Sequence, residues 1–269
     1  MTRLNFTKMS GAGNDFIVVD NRSGAIKKDA GGVSKKLCGR QSSIGADGLI
    51  LLEKSKKASV KMRIFNPDGS QAEMCGNGVR CVAKFAAENK ITKSRLSIET
   101  LAGIIQAEVR GQIVKARLVN PKGLKLNFSI PVNGRNETLS YIDTGVPHAV
   151  KVVESVEGVD VDQFGREIRH HEHFAPRGTN ADFVAFRSQN AIEVRTYERG
   201  VEAETFSCGT GSTAAALVAA AIKGLKSPVR VHTKGGETLK VFFSKKGSEF
   251  FDVYLEGPVR TVFEGRVNR

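Results

Sequence analysis

No apolar run in this 269-residue chain approaches the ~20 residues that a membrane-spanning helix requires. Met1-Thr2-Arg3-Leu4 leads directly into folded-domain sequence, without the pattern of a signal peptide. Cysteine is scarce, with Cys38, Cys75, Cys81 and Cys208 alone, no Cys-x-x-Cys pair and no regular spacing. That argues against a disulfide scaffold and for a cytoplasmic protein with free thiols. Negative charge is also in short supply, since 28 acidic residues face 41 basic ones for a formal net charge of +13. Nucleic-acid binding is one reading of such an excess. The lysines, however, fall in short scattered groups such as Lys27-Lys28, Lys35-Lys36, Lys54/Lys56/Lys57 and Lys245-Lys246. They are not interleaved with exposed aromatics, and no nucleic-acid motif accompanies them. The excess reads as a solvated basic surface, with attraction of a dianionic substrate as a secondary consequence.

What the chain does contain is a duplicated segment. Cys75-Gly76-Asn77-Gly78 opens a run of good helix formers that ends near Asn89. Cys208-Gly209-Thr210-Gly211 opens a second such run, with Gly224 placed to cap it. The two cysteines lie 133 positions apart (75 to 208), and two flanking stretches keep that offset. Thr100 with its neighbours corresponds to Thr233, and Val60–Asn66 to Glu193–Arg199. Three segments in one register imply two large half-domains from a duplication, not a short-period repeat. The length accommodates two such domains, each with its own core.

A cysteine at a helix start lies beside unpaired N–H groups and the positive end of the helix dipole, which favours its thiolate. The adjacent glycines let a ligand approach the backbone, and the bare N–H groups suit a carboxylate. If two halves each offer such a thiol to opposite faces of one carbon, one removes a proton and the other delivers one, inverting a stereocentre. A thiol pKa near ~8.5 keeps both protonation states within reach at neutrality.

Other residues carry two readings each when taken alone. Residues 4–20 read as strand, tight turn and strand, with Asn14 a left-handed turn residue. Residues 27–39 form a short amphipathic helix at best, with Cys38 a small buried hydrophobe. Asp47 reads as a turn or backbone-capping residue ahead of a buried strand, Leu49–Leu52. Asn66 opens strong turn chemistry in Asn66-Pro67-Asp68-Gly69, and Cys81 falls on the packing side of its helix. Strands broken at Gly103 and Gly111 follow, and Pro121-Lys122-Gly123 marks a boundary. His148, a lone histidine, is either structural or functional. His170-His171-Glu172-His173 reads as a loop or helix end, since adjacent histidines do not readily converge on one ion. Glu198-Arg199 is either an exposed ion pair or, through arginine's planar fork, a carboxylate clamp. The final alternating stretches, 239–241, 250–255 and 259–263, read as strands closing the second domain and returning to the first.

Over nearly its whole length the chain resembles the diaminopimelate epimerases, pyridoxal-independent amino-acid isomerases. The resemblance rests on Phe6–Phe16, Gly45-Ala46-Asp47-Gly48, both cysteine segments, Gly145–Val150, Asn180-Ala181-Asp182-Phe183 and Glu198-Arg199-Gly200. Proline racemases are similar around the cysteines but typically have histidine in place of Asn77 and a Ser-Pro-Cys second motif, where this chain has Phe206-Ser207-Cys208. The resemblance implies an α/β (α+β) fold of two pseudo-symmetric domains, residues 1–119 with 256–269 and residues 120–255. Each would be a curved mixed sheet or barrel around a central helix, with the active site in the cleft between them. It implies LL- to meso-diaminopimelate epimerisation in lysine and peptidoglycan precursor synthesis, with Cys75 and Cys208 as the acid/base pair. It assigns His148 to the thiol of Cys75 and Glu198 to that of Cys208. Asn14, Asn66, Asn180 and Arg199 would hold the substrate's polar groups, and the N–H groups of Gly76-Asn77 and Gly209-Thr210 its α-carboxylate. The implied partner is the small-molecule substrate, with no metal or pyridoxal cofactor, no nucleic acid and no membrane, and with room for a homodimer. One departure stands out. Val146 occupies a position where the common family pattern has an asparagine that helps hold the substrate's distal end, which keeps another cofactor-independent amino-acid racemase as an alternative. Rivals of other classes are a thiol redox protein and a basic nucleic-acid-binding module that has lost catalysis.

Overall fold

The computed structural model describes residues 3–268, which form two compact units. The first ends at Arg117 and resumes at Gly257; the second runs from Leu118 to Glu256.

In the first unit, β1 (Arg3–Gly11), β2 (Asn14–Asp20), β3 (Gly48–Glu53), β4 (Val60–Phe65), β6 (Arg95–Thr100), β7 (Gly103–Arg110) and β8 (Ile113–Arg117) pair in that order. The last part of β17 (Glu249–Asn268) pairs with both β8 and β1, which closes an eight-stranded barrel. A two-residue strand, β5 (Gln71–Ala72), adds to β4. The helix α2 (Gly76–Glu88) packs against β1, β2, β3, β4, β6, β7 and β8 and is buried from Gly76 to Ala86. It fills the barrel.

The apolar patterning explains this arrangement. Phe16, Val18, Ile50 and Leu52 pack inward on Val79, Val82, Phe85 and Ala86 of α2. Their strand neighbours Ile17, Val19, Leu49 and Leu51 pack outward with Val33, Leu37 and Cys38 of α1 (Ala30–Cys38). Leu49–Leu52 is continuously apolar because both faces of β3 are covered. The two glycines in the first turn of α2 each cost roughly 0.5–1 kcal/mol of helix stability. Burial of each large apolar side chain contributes about 1.5–3 kcal/mol, so packing holds this helix in place.

The second unit repeats the plan. Its strand order is β9 (Lys122–Val132), β10 (Arg135–Asp143), β11 (Pro147–Val152), β12 (Asn180–Ser188), β13 (Ala191–Glu198), β15 (Val229–Thr233), β16 (Thr238–Lys246) and the first part of β17. Leu118 N–H donates to the Val253 carbonyl at 2.9 Å, tying the unit's first residue to β17. Short β14 (Ala203–Thr205) adds to β13, and α4 (Gly209–Lys223) is the central helix, its alanine-rich middle fully buried. α3 (Val161–His170) lies on β12 and β13, as α1 lies on β3 and β4. The duplication reaches the hydrogen-bond register. In the parallel pair β2–β3, Phe16 faces Gly48; in the parallel pair β11–β12, Ala149 faces Ala181, each 133 positions on.

One expectation is refined and one corrected. The stretches 250–255 and 259–263 form one 20-residue strand, β17, while 239–241 belongs to a strand of its own, β16. Pro258 is tolerated because it falls between Glu256, the last residue paired with β16, and Val259, the first paired with β1. Asn14 is not left-handed. Ala12 (φ 53°) and Gly13 (φ 92°) take the left-handed positions of the turn, and Asn14 opens β2.

Candidate active site

In the first unit Cys75 is the N-cap of α2, and its sulfur accepts the Gly78 N–H at 3.5 Å. Gly78 is closely packed, because a Cβ there would lie 3.1 Å from Ile50 Cδ1 and 3.2 Å from Ile64 Cδ1. Asn77 is buried and donates through Nδ2 to Asn14 Oδ1 at 2.6 Å. The fully buried Arg80 guanidinium donates to Asn77 Oδ1, and Asn14 Nδ2 donates to Asp47 Oδ2 at 3.0 Å. Asp47 also accepts the Asp15 N–H at 3.1 Å, so it caps backbone and orients Asn14 at once. Arg40 joins Asp15 (2.8 Å) to Asp47 (2.6 Å), and Lys8 pairs with Asp15 at 2.7 Å while donating to the Gly45 carbonyl. Burial works to raise the Asp15 pKa, but hydrogen bonds from Arg40 and Lys8, together with their charges, outweigh it and hold Asp15 at about 2. This cluster fixes Asn14 and Asn77 beside the helix start. Exposed Asn66 sits in its turn, with Nδ2 on Ser70 Oγ at 3.0 Å and its carbonyl accepting from Ser34 Oγ at 2.9 Å.

In the second unit Cys208 is the N-cap of α4. Its sulfur accepts the Gly211 N–H at 3.3 Å and lies 3.4 Å from Thr210 Oγ1. Burial first, then the charges of Glu198 and Asp182, push this thiol well above its ordinary range. The expectation that the helix start would favour the thiolate fails here, because desolvation and two carboxylates outweigh the terminal N–H groups. Glu198, at the end of β13, is raised by burial and hydrogen-bonds with both Thr205 Oγ1 (2.9 Å) and the Cys208 thiol. Cys208 and Glu198 are therefore hydrogen-bonded in a site where burial favours the protonated form of each.

His148 is fully buried on β11, and its Nδ1 lies 2.7 Å from Asp182 Oδ2. Asn180 bridges backbone on two sides, donating to the Pro147 carbonyl at 2.9 Å and accepting the Arg199 N–H at 2.8 Å. Arg199 Nη1 donates to the Arg177 carbonyl at 3.2 Å. The Thr210 carbonyl accepts from Thr144 Oγ1 at 3.1 Å. Gly76, Asn77, Gly209 and Thr210 thus lie in the first turns of α2 and α4, where N–H groups lack intrahelical acceptors. Second-unit residues Asn180, Glu198, Arg199, Cys208 and His148 come together; Asn14, Asn77 and Cys75 do so in the first. Sequence reasoning gave no role to Lys8, Arg40, Arg80 or Asp182. For Asp182 a signal existed, since it lies two residues past Asn180 on one strand and so on the same face.

Among the described residues no group of three or more His, Cys, Asp or Glu could hold a metal ion. The three clustered histidines go to separate partners. His170 lies 3.4 Å from Glu202, His171 Nε2 bonds the Pro131 carbonyl at 2.8 Å, and His173 stacks on Phe128. Cys38 and Cys81 are buried in the two cores of the first unit.

The architecture is that of a class of proteins built from two such units, and it recurs in solved structures. A Bacillus anthracis phenazine biosynthesis protein of the PhzF family superposes with a TM-score of 0.76 over 100% of both chains, at 16% identity. A probable proline racemase from Agrobacterium radiobacter gives 0.73 over 98% of this chain and 93% of that one, also at 16% identity. At such identities the likeness is one of fold. Sequence narrows it further. The diaminopimelate epimerase family model matches residues 6–119 and 140–262. The chain is 46% identical to a diaminopimelate epimerase of Aquifex aeolicus over 98% of both chains, and 42% identical to one of Methanocella arvoryzae over 100% of this chain and 98% of that one. The protein belongs to the diaminopimelate epimerase family.

Proposed function

We propose that the protein interconverts LL- and meso-2,6-diaminopimelate by proton transfer at one α-carbon, as a cytoplasmic step in the supply of lysine and peptidoglycan precursors. Family membership along nearly the whole chain carries the reaction. The cysteine N-cap repeated in each unit carries the mechanism. One thiolate takes the α-proton, and the other residue's thiol returns a proton to the opposite face. The two cysteines therefore exchange protonation states with each turnover. First-turn N–H groups at Gly76-Asn77 and Gly209-Thr210 stabilise the carboxylate as negative charge develops on it. Asn14, Asn66, Asn180 and Arg199 hold the remaining polar groups, while Glu198 and His148 set protonation. No helix among the described residues is long and apolar enough to cross a membrane.

The second reading, another amino-acid racemase, is favoured by one observation. Half-buried Val146 offers no side-chain hydrogen bond, and its carbonyl is taken by the Thr144 N–H at 3.1 Å. Assays in deuterium oxide with LL-diaminopimelate and with lysine separate the two. Solvent deuterium should enter diaminopimelate on inversion, with kcat/KM far above that for lysine. Cys75→Ala and Cys208→Ala should each abolish it, while Cys38→Ala and Cys81→Ala keep most of it. Equal kcat/KM for lysine and LL-diaminopimelate would put the racemase reading first.

A further inference from the structure

We infer that Asp182 is a positioning residue for His148, holding the ring through a proton on Nδ1 so that Nε2 is the nitrogen turned to proton transfer. The inference rests on the epimerase reading for what that nitrogen serves. Both side chains are completely buried, with Asp182 Oδ2 2.7 Å from His148 Nδ1. The other carboxylate oxygen accepts the Thr196 hydroxyl at 2.7 Å. A carboxylate only accepts, so the Nδ1 facing it must carry a proton. Nε2, also buried, has no hydrogen-bond partner among the described residues. The large majority of buried side-chain nitrogens are hydrogen-bonded, because leaving one unpaired is costly. Here one nitrogen is held firmly and the other is left open, which is how a proton-transferring imidazole is set up.

The second cysteine motif accommodates this pair. A Cβ on Gly211 would lie 2.4 Å from Asp182 Oδ1 and 3.0 Å from Thr196 Oγ1. The glycine that follows Cys208 by three residues therefore lets the carboxylate lie against the start of α4. Its charge is felt there by both Cys208 and Glu198. His148 acts on Glu198 in the opposite sense.

Asp182→Asn tests the assignment almost isosterically. Thr196 donates to the Oδ1 position, so the amide oxygen should stay there and the NH2 should face His148. That donor demands a lone pair on Nδ1 and moves the ring proton to Nε2. The expected loss in kcat is roughly 10²–10⁴-fold, the range between a lost general base and a mis-set tautomer. In the Asp182→Asn/Thr196→Val double variant the amide is free to turn its oxygen to Nδ1, and activity should partly return. The direct readout is 15N NMR of histidine-labelled protein above the histidine pKa, with His148 assigned by the signal missing from His148→Gln. Wild type should show Nδ1–H, and Asp182→Asn should show Nε2–H. An Nε2–H tautomer in wild type, or an Asp182→Asn enzyme within about twofold of wild type, overturns the inference. The NMR measurement needs no substrate. An Nδ1–H signal from a wild-type protein inactive on LL-diaminopimelate would therefore count against the epimerase reading and leave the His148–Asp182 pair standing.

Discussion

Cys208 and Glu198 form a pair whose burial disfavours charge on both. Burial thus favours the protonated thiol, next to a carboxylate whose own affinity for protons is raised. In the proposed mechanism the thiol would act as a base by passing its proton to that carboxylate. Replacing Glu198 by Gln should separate these effects. It removes the largest charge acting on Cys208, so the thiol pKa should fall, although burial remains. The lost proton acceptor should at the same time lower kcat by about 10²–10⁴-fold. Alkylation of Cys208, followed by peptide mass spectrometry across pH, should show its reactive form emerging at lower pH in Glu198→Gln than in wild type. An unchanged or higher alkylation midpoint would mean that Glu198 does not control this thiol. Cys38 makes a useful contrast. It too is raised by burial, but it sits in the core with its side-chain hydrogen bond to Ser34, where Cys208 has one to a carboxylate.

At the scale of elements, both helix starts place a glycine three residues after the cysteine, and the neighbours of the two glycines differ. A Cβ at Gly78 would press on the ends of two isoleucine side chains, which can yield. A Cβ at Gly211 would strike Asp182 and Thr196, which are held by hydrogen bonds. Gly78→Ala should therefore behave as mild overpacking, costing about 1–3 kcal/mol with activity largely kept. Gly211→Ala should lose activity out of proportion to any loss of stability. Urea unfolding midpoints set beside kcat/KM for both variants check this, and equal activity losses per unit of stability would refute it. Both helix starts were legible in the sequence because Cys-Gly-x-Gly followed by helix formers is a local signal. The repeat offset was legible for the same reason, since it needs only counting. The His148–Asp182 contact was not, because it depends on β11 lying parallel to β12, residues 34 apart in the chain. Nor was the network around Asn14, which gathers Arg40 and Asp47 from the loop between α1 and β3 and Asn77 from α2. α3 also escaped notice, since a 10-residue helix that buries only Val161, Gly165 and Ile168 leaves a weak pattern.

At the scale of the whole molecule, the +13 net charge is spread over lysines that are exposed in the structure, including Lys27, Lys28, Lys35, Lys36, Lys245 and Lys246. Steering of a dianionic substrate was one consequence drawn from that excess. It does not suit diaminopimelate. At neutral pH its two carboxylates are balanced by two ammonium groups, so a distant field exerts no net pull on it. The charges that matter act within a few ångströms, where Arg199 and the helix-start N–H groups would meet individual carboxylates. Salt screens such short, desolvated contacts little. It screens long-range attraction strongly, the Debye length falling from ~30 Å at ~0.01 M to ~8 Å at ~0.15 M ionic strength. The kcat/KM for LL-diaminopimelate should accordingly change by less than about twofold over that range, despite the strongly basic surface. A matched assay in a non-coordinating buffer, with sodium chloride as the only variable, makes the comparison. A steep fall in kcat/KM with salt and constant kcat would show that the surface field captures a species of net negative charge. The substrate that reaches the enzyme would then not be the neutral zwitterion.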